Sequence, residues 1–208
     1  DDALKAAVLQ AALKDAAFAG FTDRVLEKAG SEAGLDKAGI TRLFPDGPMS
    51  LIAHYSQSVD AEMEVVLARL DLPARKIRDR IKLAVLTRLS ILKPHKEAAR
   101  RAGALLSLPM HASLAAKLLY RSVDVMWRAA GDTSTDFNFY TKRGILAGVY
   151  GATLVRWFND TGEDEAVTDK FLADRIENVM QFEKFKLQAK SALASFPAFA
   201  DLAKKFSK

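Results

Sequence analysis

Cysteine is absent from this sequence of 208 residues. Without thiols the chain can form neither disulfide bonds nor thiolate metal sites, and a reducing compartment is permitted. Glycine and proline are scarce, at 11 and 6 residues. Few turn residues argue against a β-sandwich of many short strands. No stretch approaches the roughly 18 consecutive apolar residues that a membrane-spanning helix requires.

The local motifs of common active sites are also missing. There is no glycine-rich phosphate-binding loop, no G-x-S-x-G nucleophile turn and no paired metal-ligand spacing. The three histidines, His54, His95 and His111, are scattered, and none has a second ligand at helical spacing. These absences favour a binding protein over an enzyme. They predict no catalytic residue, no metal ion and no cofactor.

The composition is that of a helical globular protein. Hydrophobic residues make up 50% of an alanine-rich chain and charged residues 27%. The length is sufficient for one sizeable core, and disorder is disfavoured. We therefore predict an all-α fold. The net charge of +5 fits binding to nucleic acid, an anionic membrane surface or simply a soluble surface.

Hydrophobic periodicity predicts about nine helices. The first three, over residues 1–45, form a helix-turn-helix-like subregion with its turn near Gly34, and the other helices follow over residues 46–190. DNA binding is the obvious hypothesis for this subregion. Its short third helix, however, offers only Lys37 and Arg42 as cations, whereas a DNA reader needs several phosphate contacts and base-edge contacts. We therefore expect a scaffold here and no nucleic-acid partner.

The most apolar stretch covers residues 105–120 and leads into Met126 and Trp127. Its periodicity is sufficient for a helix packed in the core. In the following helix, small residues recur every four positions from Gly144 to Ala152. Such a stripe lets another helix or a flat ligand approach closely. Packing within the core is the preferred explanation.

Residues 122–150 read SVDVMWRAAGDTSTDFNFYTKRGILAGVY. Gly131 should end one helix, and the polar residues after it can cap the next, which should begin near Asp136. The following side chains occupy every side of that helix's first turn and a half: Asn138, Phe139, Tyr140, Lys142 and Arg143. A helix cannot bury all sides of its exposed end. Some of Phe139, Tyr140 and Arg143 should therefore face water or a partner.

An amphipathic helix is predicted over residues 191–208, on the pattern of the terminal residues SFPAFADLAKKFSK. Bulky apolar residues fall on one stripe, and lysines lie at its end. Two interpretations remain open, a helix lying in a membrane interface and a terminal helix docked on its own domain. The residues of the membrane interpretation are Phe196, Phe199, Leu202, Lys204, Lys205 and Phe206.

The pattern D-x-M-W-x-x-A-G-D-x-S-T-D-F-N-aromatic-Y-T-x-R runs from Asp124 to Arg143. It closely resembles the most distinctive segment of a ubiquinone (coenzyme Q) biosynthesis family whose members adopt a TetR-like helical fold and bind lipid. The rest of the chain runs in compatible order and length. One departure is Phe139, which stands where many members have tryptophan, so that an aromatic ring is kept but the indole N–H is lost.

The resemblance implies a TetR-family-like helical bundle over residues 1–190, followed by the amphipathic membrane-binding helix. It also implies a homodimer formed by the last two core helices. The helices of residues 46–190 would enclose a cavity for an isoprenoid quinone or a related lipid. The residues expected to contact that lipid are Leu114, Leu118, Met126, Trp127 and Tyr150.

By the same resemblance, the chain is an auxiliary protein that takes quinone intermediates from the membrane. It would present them to the di-iron demethoxyubiquinone hydroxylase. The residues expected to dock this partner are Asp136, Asn138, Phe139, Tyr140 and Arg143. The implied location is peripheral, on the cytoplasmic face of a bacterial inner membrane or on the matrix side of the mitochondrial inner membrane. Two alternatives are a TetR-like regulator that senses an apolar effector and a structural helix bundle without ligand.

Overall fold

The computed structural model describes residues 1–135 and 137–194, and in this part the backbone forms nine α-helices, two 3-10 helices and no strand. The α-helices are α1 Asp2–Ala19, α2 Asp23–Glu32, α3 Lys37–Leu43, α4 Pro48–Ala68, α5 Ile77–Leu92, α6 Lys96–Leu106, α7 Ala112–Ala129, α8 Phe137–Phe158 and α9 Ala166–Ala194. The predicted all-α fold is confirmed. The TetR-like arrangement and the domain division stay predictions.

Side-chain caps start the second and third helices. Thr22 Oγ1 accepts a hydrogen bond from the backbone N–H of Val25 at 3.3 Å. Asp36 Oδ1 accepts one from the N–H of Gly39 at 2.8 Å. Between them Gly34 has φ of 79°, in the left-handed region that glycine tolerates. The turn between α2 and α3 is therefore at the expected place.

One buried apolar cluster takes residues from all nine helices. Within it α4 packs against α5 and α7, α7 against α8, and α8 against α9, while α1 packs against α2 and α6. The prolines lie at the breaks: Pro94 in the 3-10 helix Lys93–His95, and Pro109 at the start of the 3-10 helix Pro109–His111. Proline is tolerated there because its missing N–H has no helical partner to lose.

The connection between α7 and α8 begins with a glycine turn. Gly131 has φ of 88°, and the N–H of Asp132 donates to the carbonyl oxygen of Trp127 at 3.0 Å. This is the backbone arrangement with which helices commonly end at glycine. Arg80 closes the same helix end, since its Nη1 donates to the carbonyl oxygen of Ala130 at 2.9 Å. Helix α8 then begins at Phe137, next to the predicted start.

The stripe of small residues on α8 is exposed, contrary to the expected packing in the core. A Cβ atom added at Gly144 or Gly148 would meet no atom within 4 Å. Val155, further along the same face, is 64% exposed. The reason is that larger side chains set the buried face of α8. They are Leu146, Val149, Tyr150 and Trp157.

Within the described residues, no single helix is long and apolar enough to cross a membrane. That length and hydrophobicity are reached only by two segments taken together, Ile77–Leu106 and Pro109–Ala129, which are bent by 94° relative to each other. The predicted membrane-binding residues lie outside the described part of the chain. They are Phe196, Phe199, Leu202, Lys204, Lys205 and Phe206.

Candidate functional site: an apolar cavity and an aromatic patch

A cavity of about 390 Å³ lies between α4, α5, α6, α7 and α8. Its volume falls within the ~300–1,000 Å³ that small-molecule sites occupy. Most of its lining is apolar, with side chains that include Ile52, Leu92, Leu106, Leu118, Leu154 and Phe158. Two glycines, Gly103 and Gly151, also line it. The cavity therefore suits an apolar ligand better than a charged metabolite.

One wall of the cavity carries a buried polar cluster. Its members are Ser56, Asp60, Arg88, Ser122 and Tyr150. Arg88 Nε donates to Asp60 Oδ1 at 2.8 Å, and the two side chains are 6% and 2% exposed. Arg88 also donates from Nη1 to the Tyr150 hydroxyl and from Nη2 to Ser56 Oγ, the latter at 3.0 Å. The Ser122 hydroxyl donates to Asp60 Oδ1 at 2.9 Å. The buried carboxylate thus has partners from two helices.

Tyr55 lines the cavity beside this polar cluster. Its ring stacks on that of Phe21, with centroids 6.2 Å apart. Burial raises the pKa of Tyr55 to about 12, an effect that the positive charge of Arg88 partly opposes. The hydroxyl is buried and has no hydrogen-bond partner among the described residues. It is therefore a protonated donor with no acceptor inside the described protein.

The five residues predicted to contact lipid occupy three different environments. Leu118 and Tyr150 line the cavity. Met126 is fully buried in the core, and Leu114 packs against the core while partly exposed. Trp127 lines a separate apolar groove of about 80 Å³ between α5, α7, α8 and α9. The structure thus brings together two of the five at the larger cavity.

The aromatic patch consists of Asn138, Phe139 and Tyr140 at the start of α8. The rings of Phe139 and Tyr140 meet edge to face, with centroids 5.1 Å apart. Tyr140 is 66% exposed, and Asn138 is also exposed. Asp136, which was also predicted to dock the partner, lies outside the described residues. Exposed aromatic rings that the fold holds in position are typical of protein-binding surfaces.

Arg143 does not share the exposure expected of this region, because its side chain is only 2% exposed. Its Nε donates to Asp124 Oδ1 at 2.7 Å, and its Nη1 donates to Asp132 Oδ2 at 2.9 Å. Nη1 also donates to the carbonyl oxygen of Phe139 at 3.1 Å, and the guanidinium lies 3.4 Å from the centroid of that ring. Arg143 therefore supports the patch from beneath.

Asp132 also helps to hold the start of α8 in position through its hydrogen bonds. Its Oδ1 accepts from Lys142 Nζ at 2.8 Å and from the Ser134 hydroxyl at 2.7 Å. Burial by itself would raise the pKa of Asp132, but the hydrogen bonds from Lys142, Ser134 and Arg143 outweigh it and hold that pKa well below its usual range. The carboxylate is therefore charged at neutral pH and ties the loop to the first turns of α8.

Residues 112–183, which contain the patch and one wall of the cavity, match the model of the COQ9 family. The ubiquinone biosynthesis protein COQ9, mitochondrial, of Bos taurus is 34% identical over 198 residues, which are 92% of this chain and 62% of that protein. The protein of the same name from Rattus norvegicus is 35% identical over 191 residues, or 88% of this chain and 61% of the relative. The chain is therefore similar to COQ9 proteins over most of its length.

The human COQ9 protein is 32% identical over 198 residues, 92% of this chain and 62% of its own length. The chain thus spans 61% to 62% of the length of these three relatives. The resemblance inferred from the segment Asp124 to Arg143 is confirmed. The region matched by the COQ9 model covers α7, α8 and α9 as far as residue 183.

The sequence analysis did not identify the polar cluster of this cavity. Asp60 and Arg88 were available as a signal, because each lies on the otherwise apolar buried face of its helix. On α4 that face includes Val59 and Met63, and on α5 it includes Leu89. A charged residue on such a face needs a buried partner of opposite charge. Two such residues of opposite charge on different helices therefore predict a buried ion pair.

Proposed function

We propose that this chain is an auxiliary protein of ubiquinone biosynthesis and not an enzyme. It binds an isoprenoid quinone intermediate in its cavity and presents it to the di-iron demethoxyubiquinone hydroxylase. The observation that carries this proposal is the apolar cavity of about 390 Å³ in a chain related to proteins named for ubiquinone biosynthesis. The names of these relatives give no support to a transcriptional regulator.

The character of the cavity supports a lipid ligand. Its apolar walls favour hydrocarbon through the hydrophobic effect, by about 25 cal/mol per Å² of surface removed from water. Leu118 and Leu154 come from facing helices, α7 and α8, and both line the cavity. A ring with the first part of an isoprenoid chain suits this space. The remainder of a long chain would lie outside the cavity, where a bilayer can receive it.

The aromatic patch supports the role of docking surface for the hydroxylase. Tyr140 is the most exposed of its rings, and tyrosine supplies a large contact area at low cost in side-chain entropy. Phe139 is held from below by Arg143. In this proposal Asn138, Phe139 and Tyr140 touch the partner, whereas Arg143 keeps the rings in position. Asp136 is included from the sequence pattern alone.

Membrane contact is assigned to the C-terminal segment on its sequence pattern. Phe196, Phe199, Leu202 and Phe206 would enter the interface, with Lys204 and Lys205 near anionic lipid. Each lysine near the surface contributes about 1 kcal/mol. The protein would be peripheral. Because the named relatives are mitochondrial, the matrix side of the mitochondrial inner membrane is one location, and in a bacterium it would be the cytoplasmic face of the inner membrane.

A homodimer is part of the proposal, with α8 and α9 at the interface. The face of α8 that carries Gly144, Gly148 and Val155 is exposed and would let a second copy approach closely. The mass in solution, measured by light scattering after size-exclusion chromatography, tests this point. A monomer at micromolar concentration would overturn it.

The lipid itself can be identified directly. The protein is purified under mild conditions and extracted with organic solvent, and the co-eluting small molecules are identified by mass spectrometry. We expect isoprenoid quinones or their precursors at near-stoichiometric amounts. An empty extract, repeated after incubation with quinone-containing liposomes, would contradict the proposal and favour a structural bundle without ligand.

A further inference from the structure

We propose that the corner between α6 and α7, residues 107–111, is a second membrane contact, made by the helical domain itself at the entrance of the cavity. The inference rests on the proposed function, in which membrane contact belongs to the C-terminal segment. It adds a lipid-facing surface on the folded part of the chain. A ligand would then pass between bilayer and cavity without crossing water.

The corner presents bulky apolar side chains to solvent. Met110 is 78% exposed and Leu108 is 41% exposed, and Pro109 lies between them in the chain. Single exposed apolar residues are common on protein surfaces, whereas neighbouring ones mark sites of contact with a protein or a membrane. The corner is therefore a candidate contact surface, and its backbone and charges indicate which kind.

The backbone of the corner is suited to an apolar environment. The N–H of Leu108 donates to the carbonyl oxygen of Leu105 at 3.3 Å, and the carbonyl oxygen of Leu108 accepts from the N–H of His111 at 2.9 Å. Pro109 has no N–H to satisfy. Unpaired backbone polar groups cost several kcal/mol each in hydrocarbon. Leu108 and Pro109 can enter the lipid interface with their N–H groups already accounted for.

The charges beside the corner are all positive in the sequence, since residues 98–123 contain no aspartate or glutamate. Lys117 and Arg121 lie one turn apart on α7, are exposed, and form no ion pair with the described residues. At 1.5 Å per residue, Lys117 is roughly 10 Å from Met110 along the chain axis. Interfacial segments insert about 5–10 Å. With Met110 at the acyl boundary, Lys117 would thus lie at the level of the lipid phosphates.

The cavity reaches the protein surface at this same corner. Of the lining residues that the structure describes, Ser107 is the exposed one, and Leu106 and Ala115 line the cavity beside it while half-buried. A mouth between exposed apolar side chains and free cations matches a bilayer, which offers hydrocarbon and anionic head groups together. An apolar ligand entering there from lipid keeps its chain out of water.

The absence of cysteine from the sequence allows a single probe to be placed at a chosen position. Met110→Cys and the control Val65→Cys are each labelled with the environment-sensitive fluorophore NBD. Val65 is 52% exposed on α4, does not line the cavity and follows Glu64. The labelled full-length proteins are mixed with vesicles of phosphatidylcholine and phosphatidylglycerol in a four-to-one ratio, and flotation measures the bound fraction.

On vesicle-bound protein, the probe of Met110→Cys should shift to the blue and brighten several-fold, and lipids brominated on their acyl chains should quench it. The probe of Val65→Cys should keep the spectrum it has in water. Both variants should bind the vesicles, because the C-terminal segment is intact in each.

A charge test complements the probe. The double variant Lys117→Gln with Arg121→Gln should bind these vesicles about fivefold more weakly for each cation removed. Lys14→Gln with Lys37→Gln removes the same net charge from exposed positions on α1 and α3. That control should lose much less affinity, because its lysines lie outside the corner.

A Met110→Cys probe that stayed in water on vesicle-bound protein would overturn the inference and leave the contact of the C-terminal segment intact. A protein partner would then be the next occupant of the corner to test. Equal losses in the two charge variants would also contradict it, since net charge alone would explain binding. If the wild type did not float with the vesicles, the proposed membrane access would itself fail, and the inference with it.

Discussion

Arg143 donates from Nη1 to Asp132 Oδ2 at 2.9 Å, and the two side chains are 2% and 3% exposed. The pair joins the loop after α7 to the second turn of α8. Asp124, on α7 itself, accepts from Arg143 Nε at 2.7 Å. The guanidinium therefore links α7 and the loop after it to α8, the helix that carries the aromatic patch. The rings of Phe139 and Tyr140 depend for their position on an ion pair that is itself buried.

The first prediction concerns the stability that this pair provides. Arg143→Ala should lower the free energy of unfolding by about 3–5 kcal/mol, because it breaks a buried ion pair and leaves Asp132 with Lys142 as its remaining cation. Arg128→Ala is the matched control, since Arg128 also pairs with Asp124, at 3.1 Å, but is 57% exposed. The Arg128→Ala substitution should lower the free energy of unfolding by about 1 kcal/mol or less. Urea unfolding followed by circular dichroism measures both, and equal losses would contradict the distinction.

The second prediction is a pH dependence centred on Asp132. Because hydrogen bonds hold the pKa of Asp132 below its unfolded value of 3.8, the folded protein gains stability from the charged form above that value. This gain is fully present at neutral pH and is lost from about pH 5 downward, as protons bind first to the unfolded chain. Asp132→Asn cannot ionise. Its free energy of unfolding should therefore be lower at pH 7 and should fall less steeply between pH 5 and pH 3.

Urea unfolding of both proteins at pH 7, 5, 4 and 3 tests this. The difference between the wild type and Asp132→Asn should narrow as the pH falls. Parallel stability curves over the whole range would show that Asp132 has the same proton affinity in the folded and unfolded chains.

Local sequence signals were sufficient to predict where helices end in this fold. Gly131 ends α7 as expected, and the turn between α2 and α3 lies at Gly34 as expected. These signals act over three or four residues, so they can be interpreted without the tertiary structure. The family segment from Asp124 to Arg143 was likewise visible, because its motif is contiguous.

The burial of particular side chains was not predictable in the same way. Arg143 has the residue type of a surface contact, and only the two acidic groups brought from α7 and the loop make its burial favourable. Gly148 has the spacing of a packed small residue, yet bulkier neighbours turn its face outward. Both outcomes depend on which helices meet, and one sequence does not specify that.

The third prediction tests the docking patch. Tyr140→Ala should abolish co-purification of the demethoxyubiquinone hydroxylase, because truncating a central aromatic anchor commonly costs about 2 kcal/mol or more of binding free energy. Lipid content and unfolding temperature should stay at the wild-type values, since Tyr140 is 66% exposed. Tyr120→Ala, which removes another exposed tyrosine from α7, is the control. Arg143→Ala is unsuitable for this purpose because it disturbs the buried ion pair.

If Tyr140→Ala retained the hydroxylase at the level seen for Tyr120→Ala, Tyr140 would not be part of the interface. A loss in both variants would point to a broader surface that includes α7. Only a selective loss in Tyr140→Ala fits a patch at the start of α8.

The fourth prediction tests whether the cavity holds the lipid. Gly151 lies on α8 and lines the cavity, and a Cβ atom added there would meet no atom within 4 Å. Gly151→Leu should therefore place its side chain in the space that the ligand would occupy. Replacing a helical glycine also adds about 0.5–1 kcal/mol of helix stability. We expect an unfolding temperature at or above that of the wild type, together with a several-fold fall in co-purifying isoprenoid lipid.

Ala104→Leu provides the comparison for this cavity-filling variant. Ala104 lies on α6 beside the cavity-lining Gly103, but it is exposed and is not among the lining residues. The same leucine there should leave the lipid content unchanged. Lipid is quantified per mole of protein by mass spectrometry after solvent extraction. If Gly151→Leu kept its full lipid content and its fold, the lipid would have to bind elsewhere. The groove beside Trp127 would then be the next place to fill.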